Sequence, residues 1–419
     1  MKLKSLITRL AFPGTSASGL LAAAMTAVLP LAATAQVPKV PGFDGTTITV
    51  GSIQPLTGGV AVLGLPIEAG LQAWFDHVNA LGGIAGKYKI KVALEDAANT
   101  ESLTVQKYGE IKDRVVMMAS ISGTSPVKAI LPDLQRDQMI ASPTSFEDLW
   151  IHEKNLLPIG PTYALMAINA VDYYLQKVKP AGKVCGLVRD DGYGEAGWRG
   201  ALYAIQYSKK QPGPVLYFAA PDQDFTGQIN QLKAGGCDAV FVTTVPGQLV
   251  RIVGTAARVG FAPQWIGQWA SWHGALLTSP VLDYLEKNFI LAGDGLEWGS
   301  SAAPGMVKML ADLNRYSPKQ KPDVWYTAGY VQGMAVTALL EKAVANKDLS
   351  RAGLMRALTE MPPVDNQGLI GNYKYGPIAT REAPRSGTVF KINRNKPFGL
   401  EAVQTNFMSE AARNYKMKQ

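Results

Sequence analysis

Short apolar runs alternate with apolar positions at helical spacing through most of the chain. A β-rich run at residues 48–53 is followed by a helical pattern over residues 62–81. A second strand is predicted at residues 88–94 and a second helix at residues 102–113. Strands that alternate with helices are typical of βαβ units, so the pattern predicts a parallel sheet with helices packed against it.

Two clusters of small, mostly hydroxylated residues interrupt this pattern. Apolar runs at residues 117–119 and 139–141 each end in such a cluster, and residues 127–138 between them have helical spacing. Ser125 suits the cap of that helix and Pro126 its first position. The clusters comprise Ser120, Ser122, Gly123, Thr124, Ser125, Ser142, Pro143, Thr144 and Ser145.

Both clusters follow predicted strands, and ligands of open parallel sheets bind outside the carboxyl ends of the strands. Backbone N–H groups at the start of a helix, together with hydroxyl groups, favour an anion. We therefore expect a site for a carboxylate-sized anion at this edge of the sheet. The alternative is that both clusters form ordinary caps and turns.

The alternating pattern starts again near residue 160, so the chain contains two similar halves. The predicted strands of the second half are residues 184–188, 215–218, 239–243, 265–267 and 288–291. Its predicted helices are residues 161–178, 195–208, 225–233 and 246–259. Three more helices, at residues 304–316, 323–346 and 350–361, are followed by residues 373–375, a polar loop and a terminal strand at residues 388–393. This order suggests that the chain returns to its first half and then crosses again.

Residues 1–35 have the composition of a secretory signal peptide. Three cations precede an apolar run at residues 20–33, and Ala33-Thr34-Ala35 fits a cleavage site. The run is too short to span a membrane.

Removal of this segment, which has three cations and no anions, lowers the formal net charge from +8 to +5. The remaining charges are well mixed, which argues against a nucleic-acid partner, and the remaining length suggests two domains.

Cysteine and histidine usage gives no indication of a metal or catalytic centre. Cys185 and Cys237 lie beside predicted strands; an oxidising compartment permits a disulfide, but a bridge needs a specific geometry, and two separately buried thiols are the favoured expectation. The three histidines, His77, His152 and His273, have no metal-ligand spacing. The chain has no nucleophile elbow, Walker loop or dinucleotide-binding glycine motif, so we expect no enzyme activity, cofactor or metal.

Several short motifs occur in a characteristic order. They are Val50-Gly51, Pro55-Leu56-Thr57-Gly58, Gly82-Gly83-Ile84, residues 142–149, Asp191, Tyr193-Gly194, Asp224-Phe225 and Tyr330. Together, over residues 46–397, they resemble the periplasmic solute-binding proteins of branched-chain amino acid ABC transporters. The resemblance implies an α/β type I binding-protein fold, with two doubly wound parallel-sheet lobes joined by a three-strand hinge. Lobe 1 would comprise residues 46–158 and 295–368, and lobe 2 residues 159–294 and 369–400, followed by a tail at 401–419.

The resemblance also implies where a ligand binds. The matching positions are Leu63, Ser122, Gly123, Thr124, Pro143, Thr144, Ser145, Tyr193, Trp269 and Trp325. Ser122, the backbone around Pro143, and Ser145 match the carboxylate grip of the first lobe. Tyr193 matches a tyrosine of the second lobe that covers the ligand, and Trp325 matches an aromatic wall residue.

One position departs from the family pattern. Amino-acid-binding members hold the ligand ammonium with an acidic side chain where Trp269 stands here. Burying an ammonium without a counter-charge costs about 2–5 kcal/mol, and a cation–π contact returns about 2 kcal/mol or less. The simplest expectation is therefore an aromatic or aliphatic carboxylate without an α-amino group. Asp294 or Glu297 would restore the charge if its loop folds inward, so a branched-chain amino acid remains an alternative.

The sequence thus predicts an exported, soluble and non-catalytic monomer of the periplasm. It would capture a small-molecule carboxylate between two lobes and deliver it to an ABC transporter permease. A ligand-sensing subunit for a membrane receptor is the main alternative, and a secreted hydrolase is a weaker one.

Overall fold

The computed structural model describes residues 40–417, and the predicted signal peptide at residues 1–35 lies outside the described residues. The strands are β1 (Thr47–Gln54), β2 (Lys89–Asp96), β3 (Met118–Ser122), β4 (Ala141–Thr144), β5 (Lys183–Arg189), β6 (Val215–Phe218), β7 (Cys237–Val242), β8 (Gln264–Gly267), β9 (Phe289–Gly293), β10 (Gly387–Ile392) and β11 (Leu400–Phe407). The helices are α1 (Ala61–Ala80), α2 (Glu101–Ile111), α3 (Thr124–Arg136), α4 (Tyr163–Val178), α5 (Gly192–Tyr207), α6 (Thr226–Ala234), α7 (Pro246–Arg258), α8 (Leu282–Asn288), α9 (Pro304–Tyr316), α10 (Val324–Ala345), α11 (Arg351–Glu360) and α12 (Glu410–Asn414).

The first lobe is built on a parallel sheet with the strand order β2-β1-β3-β4. All residues of β3 and β4 are buried, as expected for parallel strands that are covered on both faces. The two hydroxylated clusters stand at the carboxyl ends of β3 and β4. The sequence pattern located both strands but placed them too early along the chain, since Ser120 and Ser122 lie within β3 and residues 142–144 lie within β4.

The second lobe is built on a sheet with the strand order β11-β10-β9-β8-β7-β5-β6. Strands β5 to β9 pair in parallel, whereas β10 is antiparallel to both β9 and β11. The sheet therefore has a parallel centre, as predicted, and an antiparallel edge. Outside this sheet, Lys374 and Glu382 form an isolated antiparallel bridge.

The segment expected as a carboxyl-terminal tail is part of the second lobe. β11 completes the edge of its sheet, and α12 packs against α4 and α5. The guanidinium of Arg385 donates hydrogen bonds to the carbonyl oxygens of Ala412 and Tyr415 at 2.8 and 2.9 Å. The sequence of β11, LEAVQTNF, does not alternate regularly between apolar and polar residues, and most of its residues are only partly buried, so its hydrophobic pattern does not predict a strand.

Helices α1 and α10 cover the first sheet and cross at very short range. A Cβ atom on Gly329 would lie 1.8 Å from the carbonyl oxygen of Ile67, and one on Gly70 would lie 2.0 Å from that of Tyr326. Glycine at both positions is therefore what allows the two backbones to touch. The indole of Trp74 donates a hydrogen bond of 2.9 Å to Thr337 in the same interface. The close packing of α1 against α10 holds α10 beside β3 and β4.

The chain passes between the two sheets after β4, after β9 and after α11. Two of these crossings are joined, because the carboxylate of Asp294 accepts a hydrogen bond of 3.1 Å from the backbone N–H of Gly371. Burial raises the pKa of Asp294 to about 6. The three crossings form the hinge that the resemblance implies.

The cysteines form a disulfide, contrary to the expectation of separate thiols. Cys185 of β5 and Cys237 at the start of β7 are bonded, and their Cα atoms are 5.8 Å apart. Strands β5 and β7 are direct neighbours in the sheet, a relation that periodicity alone does not reveal.

None of the helices within residues 40–417 is long and apolar enough to cross a membrane.

Candidate ligand-binding cavity

A cavity of about 870 Å³ lies where the two lobes face each other. Its first-lobe lining follows the ends of β1, β3 and β4, and its second-lobe lining follows the ends of β5 and β7. Parallel α/β sheets bind ligands at this end of their strands. The volume is near the top of the range of roughly 300–1,000 Å³ that is typical of small-molecule sites.

The start of α3 provides an anion site on the first-lobe wall. Gly123, with φ of +92°, precedes the helix, and its N-cap position supplies no side-chain hydrogen bond. Thr124 and Ser125 line the cavity there. Among the described residues, no partner lies within hydrogen-bond distance of the buried Thr124 hydroxyl. The first backbone N–H groups of a helix also lack intrahelical partners, so donors converge at this point.

Two further hydroxyls of this wall are already bonded inside the lobe. Ser122 and Thr144 line the cavity and are almost fully buried. Ser122 bonds to the amide of Gln54, and Thr144 bonds to Ser120 and to the amide of Gln332 at 2.9 Å each. The wall is therefore backed by a network of uncharged polar groups that runs across the sheet.

Aromatic side chains from both lobes close the cavity. Tyr193, at the start of α5, donates a hydrogen bond of 3.1 Å to the carbonyl oxygen of Thr244, and its ring contacts Tyr163 edge-on with centroids 5.1 Å apart. Burial raises the pKa of Tyr193 well above its ordinary value, so the phenol stays protonated. Trp325, at the start of α10, and Leu63 of α1 complete the apolar lining.

The second-lobe wall carries charged side chains. Arg189 forms an ion pair with Asp191 and stacks on Tyr193, with its guanidinium carbon 5.3 Å from the ring centroid. Asp191 also caps α5 by accepting a hydrogen bond of 2.9 Å from the backbone N–H of Gly194. The exposed side chains of Asp190 and Arg251 line the mouth. This wall can attract or orient a charged ligand, whereas the opposite wall is uncharged at its centre.

The structure places Pro143, Ser145 and Trp269 outside the cavity lining, although each was expected at the ligand. Pro143 lies in β4 opposite Ile121 of the neighbouring strand. The Ser145 hydroxyl accepts a hydrogen bond of 3.1 Å from the indole of Trp150. Spacing along the chain places Ser145 beside Thr144, but the turn directs its side chain into the core.

Trp269 lies behind the lining and supports it. Its ring is stacked on Phe390 at 5.9 Å between centroids and contacts Trp325 at 6.1 Å. A Cβ atom on Gly293 would lie 2.1 Å from this indole. Trp269 therefore fills the space between β9 and the cavity wall, and Trp325 is the tryptophan that lines the cavity itself. The other expected residues, Leu63, Ser122, Gly123, Thr124, Thr144, Tyr193 and Trp325, do line one cavity.

An ion cluster joins the two lobes beside the cavity. Glu147 and Asp148, just after β4, are fully buried and face Arg199 of α5, whose guanidinium lies 2.6 Å from a Glu147 oxygen. The ammonium of Lys128 lies 3.5 Å from the other Glu147 oxygen. The phenol of Tyr415 donates a hydrogen bond of 2.6 Å to Asp148. Burial raises the pKa of Asp148, although these partners oppose the shift.

Comparison with known proteins agrees with this architecture. The model of a family described as periplasmic binding protein matches residues 47–397. Leu/Ile/Val-binding protein homolog 3 of Brucella melitensis biotype 1 is 23% identical over 386 residues, which is 84% of this chain and 94% of that protein.

Two solved structures share the fold. A fatty acid ABC transporter substrate-binding protein from Thermomonospora curvata superimposes with a TM-score of 0.84 at 26% identity, covering 91% of this chain and 97% of that one. A branched-chain amino acid ABC transporter protein from Thermus thermophilus with bound valine gives a TM-score of 0.76 at 17% identity, covering 88% and 98%.

Proposed function

Because the chain belongs to the periplasmic binding protein family, we propose that it is an exported periplasmic receptor that binds a small organic carboxylate and delivers it to an ABC permease. The ligand occupies the cavity between the lobes. It is an aromatic or aliphatic carboxylate or a branched-chain amino acid. The receptor acts as a monomer and performs no catalysis.

The observation that carries this proposal is the group of donors at the start of α3. The Thr124 hydroxyl is buried, lines the cavity and has no partner among the described residues. The adjacent backbone N–H groups and the positive end of the helix dipole favour an anion at the same point. A carboxylate placed there accepts hydrogen bonds that the protein does not otherwise satisfy.

Both lobes contribute to the ligand's surroundings. Tyr193 and Arg189 reach the cavity from the second lobe, and Thr124 and Trp325 reach it from the first. Ligand contacts to both lobes exist together only when the lobes are closed, so the ligand shifts the open–closed equilibrium toward the closed form. A permease can then recognise the closed, loaded receptor.

The second-lobe wall leaves room for an amino acid. Trp269 lies behind the lining, so its replacement of an acidic side chain does not exclude a ligand ammonium. The carboxylate of Asp190 does line the cavity. The two similar solved structures are a fatty acid transporter's binding protein and a protein with bound valine, and fatty acids and valine are both carboxylates.

The test is calorimetric titration of the protein with phenylacetate, octanoate and leucine. We expect at least one of them to bind, and we expect Thr124→Val to weaken that binding about tenfold, because a hydrogen bond to a charged group is lost. Thr104→Val is the control, since Thr104 is equally buried but donates to Thr100 within α2. The carboxylate site is refuted if none of the three acids binds, or if Thr124→Val and Thr104→Val bind equally well.

A further inference from the structure

The hydroxyls of Ser122 and Thr144 belong to a buried hydrogen-bond network in which the donor and the acceptor of each bond are determined. This direction of donation is set first at Gln332 of α10, whose side-chain nitrogen lies 2.9 Å from the backbone carbonyl oxygen of Ser142. A backbone carbonyl can only accept hydrogen bonds. The amide nitrogen of Gln332 must therefore face Ser142, and its amide oxygen must face the opposite way.

The opposite side of Gln332 is occupied by Thr144. The hydroxyl of Thr144 lies 2.9 Å from the Gln332 amide oxygen and must donate its single proton to it. The hydroxyl of Ser120, also 2.9 Å from Thr144, must then be the donor in their shared bond. Because Ser120 has given its proton away, it can only accept from its other neighbour, Gln54.

Gln54 links Ser120 to Ser122, which lines the cavity. Its amide nitrogen lies 2.5 Å from Ser120 and 3.3 Å from Ser52, so both N–H groups are used and the amide oxygen faces Ser122. Ser122 donates its proton to that oxygen. Ser52 in turn donates to the carboxyl group of Glu68 at 2.6 Å.

We propose that Ser122 and Thr144 form an acceptor-only wall, which takes hydrogen bonds from the ligand and gives none. This inference rests on the proposed function, and it narrows the ligand to a carboxylate that also carries a hydrogen-bond donor, either a hydroxyl or an amino group. The carboxylate itself binds at Thr124 and the start of α3. Gln54 and Gln332 are positioning residues, because they set the direction of the hydroxyl protons without lining the cavity.

The assignment differs from the sequence-based expectation that Ser122 grips the carboxylate. A carboxylate needs donors, and the protons of Ser122 and Thr144 are directed into the lobe. A ligand hydroxyl or ammonium, in contrast, meets free lone pairs on both oxygens. A plain fatty acid or benzoate donates to neither oxygen: Ser122 then accepts no hydrogen bond, and Thr144 accepts only the one from Ser120. Unsatisfied buried polar groups weaken binding.

A neutron crystal structure of the perdeuterated, ligand-free protein tests the direction without any ligand. We expect deuterium on Ser122 directed at the Gln54 amide oxygen, and deuterium on Thr144 directed at the Gln332 amide oxygen. Deuterium on either hydroxyl directed into the cavity overturns the proposal. Because this experiment needs no binding partner, its outcome is independent of the proposed function.

A matched series of acids tests the consequence for selectivity. The probes are 4-methylpentanoate, 2-hydroxy-4-methylpentanoate and leucine, which differ only in the group beside the carboxylate. We expect the hydroxy acid or leucine to bind at least about tenfold more tightly than 4-methylpentanoate, and the tighter of the two identifies the donor as hydroxyl or amino. Tightest binding of 4-methylpentanoate overturns the proposal.

Gln332→Met removes the amide oxygen that accepts the Thr144 proton. We expect the preference for the donor-bearing acid to fall about tenfold toward unity, because Thr144 can then donate into the cavity. Thr337→Val is the control, since Thr337 lies on the same helix and bonds to Trp74 outside the network; it should keep the preference. An unchanged preference in Gln332→Met overturns the role of Gln332. If none of the three acids binds, the proposed function fails for this series, and the neutron structure still decides the direction.

Discussion

The two lobes of this protein present different chemistry to the same cavity. The first lobe offers uncharged hydroxyls whose positions are fixed by the amides of Gln54 and Gln332. The second lobe offers an arginine–aspartate pair, an exposed arginine and a tyrosine ring. On the proposed function, the first lobe therefore holds the carboxylate at the start of α3 and selects among polar groups, whereas the second lobe covers the ligand and adds charged side chains at the mouth.

The lobes also differ in what holds them together. The second lobe has a disulfide between two neighbouring parallel strands, β5 and β7, and an antiparallel edge formed by β10 and β11. The first lobe relies on the close approach of α1 and α10 and on its internal polar network. The second lobe can therefore be destabilised without a change to the first-lobe wall of the cavity.

The largest effect is expected from removal of the disulfide. In the double variant Cys185→Ala/Cys237→Ala we expect the free energy of unfolding to fall by about 4 kcal/mol, because the bridge closes a long loop in the unfolded chain. Denaturant unfolding with and without a reducing agent measures it, and the variant should not respond to the reductant. Ligand affinity should stay unchanged, because the bridge is remote from the first-lobe wall. A loss of affinity without a loss of stability would contradict the separation of roles.

The next effect concerns the ion cluster that joins the lobes. Arg199→Met leaves Glu147 and Asp148 buried without their guanidinium partner, and we expect a loss of about 3 kcal/mol in the free energy of unfolding. The closed form should also become less populated, so ligand affinity should fall. Arg136→Met is the control, because Arg136 is exposed and its ion pairs with Asp133 and Asp137 are worth about 1 kcal/mol or less. Equal losses in both variants would show that the cluster contributes no more than a surface pair.

The smallest effect is a pH dependence that arises in the first lobe. Burial raises the pKa of Glu68 from 4.5 to about 7, and the hydrogen bond from Ser52 opposes the shift. The folded state then holds the proton more tightly than the unfolded state. The stabilisation is complete below pH 4.5 and is lost as the pH rises through about 7. Between these pH values the free energy of unfolding should fall by about 1–3 kcal/mol because of Glu68, and we expect Glu68→Gln to abolish this fall.

The measurement for Glu68 is denaturant unfolding between pH 4 and pH 8. Glu110→Gln is the matched control, because Glu110 is exposed and hydrogen bonds from Gln106 and Lys107 lower its pKa. The stabilisation from that carboxylate is complete above its ordinary pKa and is lost only at lower pH. The control should therefore leave the change of unfolding free energy with pH unchanged near neutral pH. A slope that survives in Glu68→Gln would assign the dependence to another group, such as Asp294.

Sequence patterns predicted the architecture where strands are buried. Strands such as β3, β5 and β7 were found because apolar runs follow from burial on two faces. β2 is only partly buried and was found because its apolar and polar residues alternate. β11 was not found, because its residues are only partly buried and alternate weakly. The disulfide was not predicted because it depends on which strands become neighbours.

The candidate cavity was predicted in part, for an equally physical reason. Ser122 and Thr144 are the last residues of β3 and β4, and Thr124 begins the next helix. A hydrophobic pattern can locate such strand ends. The side-chain direction of Ser145 in its turn and the layer occupied by Trp269 depend on packing that spacing does not encode. Gln54 and Gln332 escaped notice because their bonds to Ser122 and Thr144 join residues 68 and 188 positions apart.

The crossing of α1 and α10 has a consequence for how the chain acquires its shape. The bond between Trp74 and Thr337 joins positions 263 residues apart, and the helix that completes the first lobe follows the central strands of the second lobe along the chain. A polypeptide that emerges amino-terminus first therefore holds an uncovered apolar sheet until residue 345 has appeared. Such non-local closure slows folding and leaves a surface that chaperones bind. The core of the first lobe can therefore be completed only after the central strands of the second lobe have been synthesised.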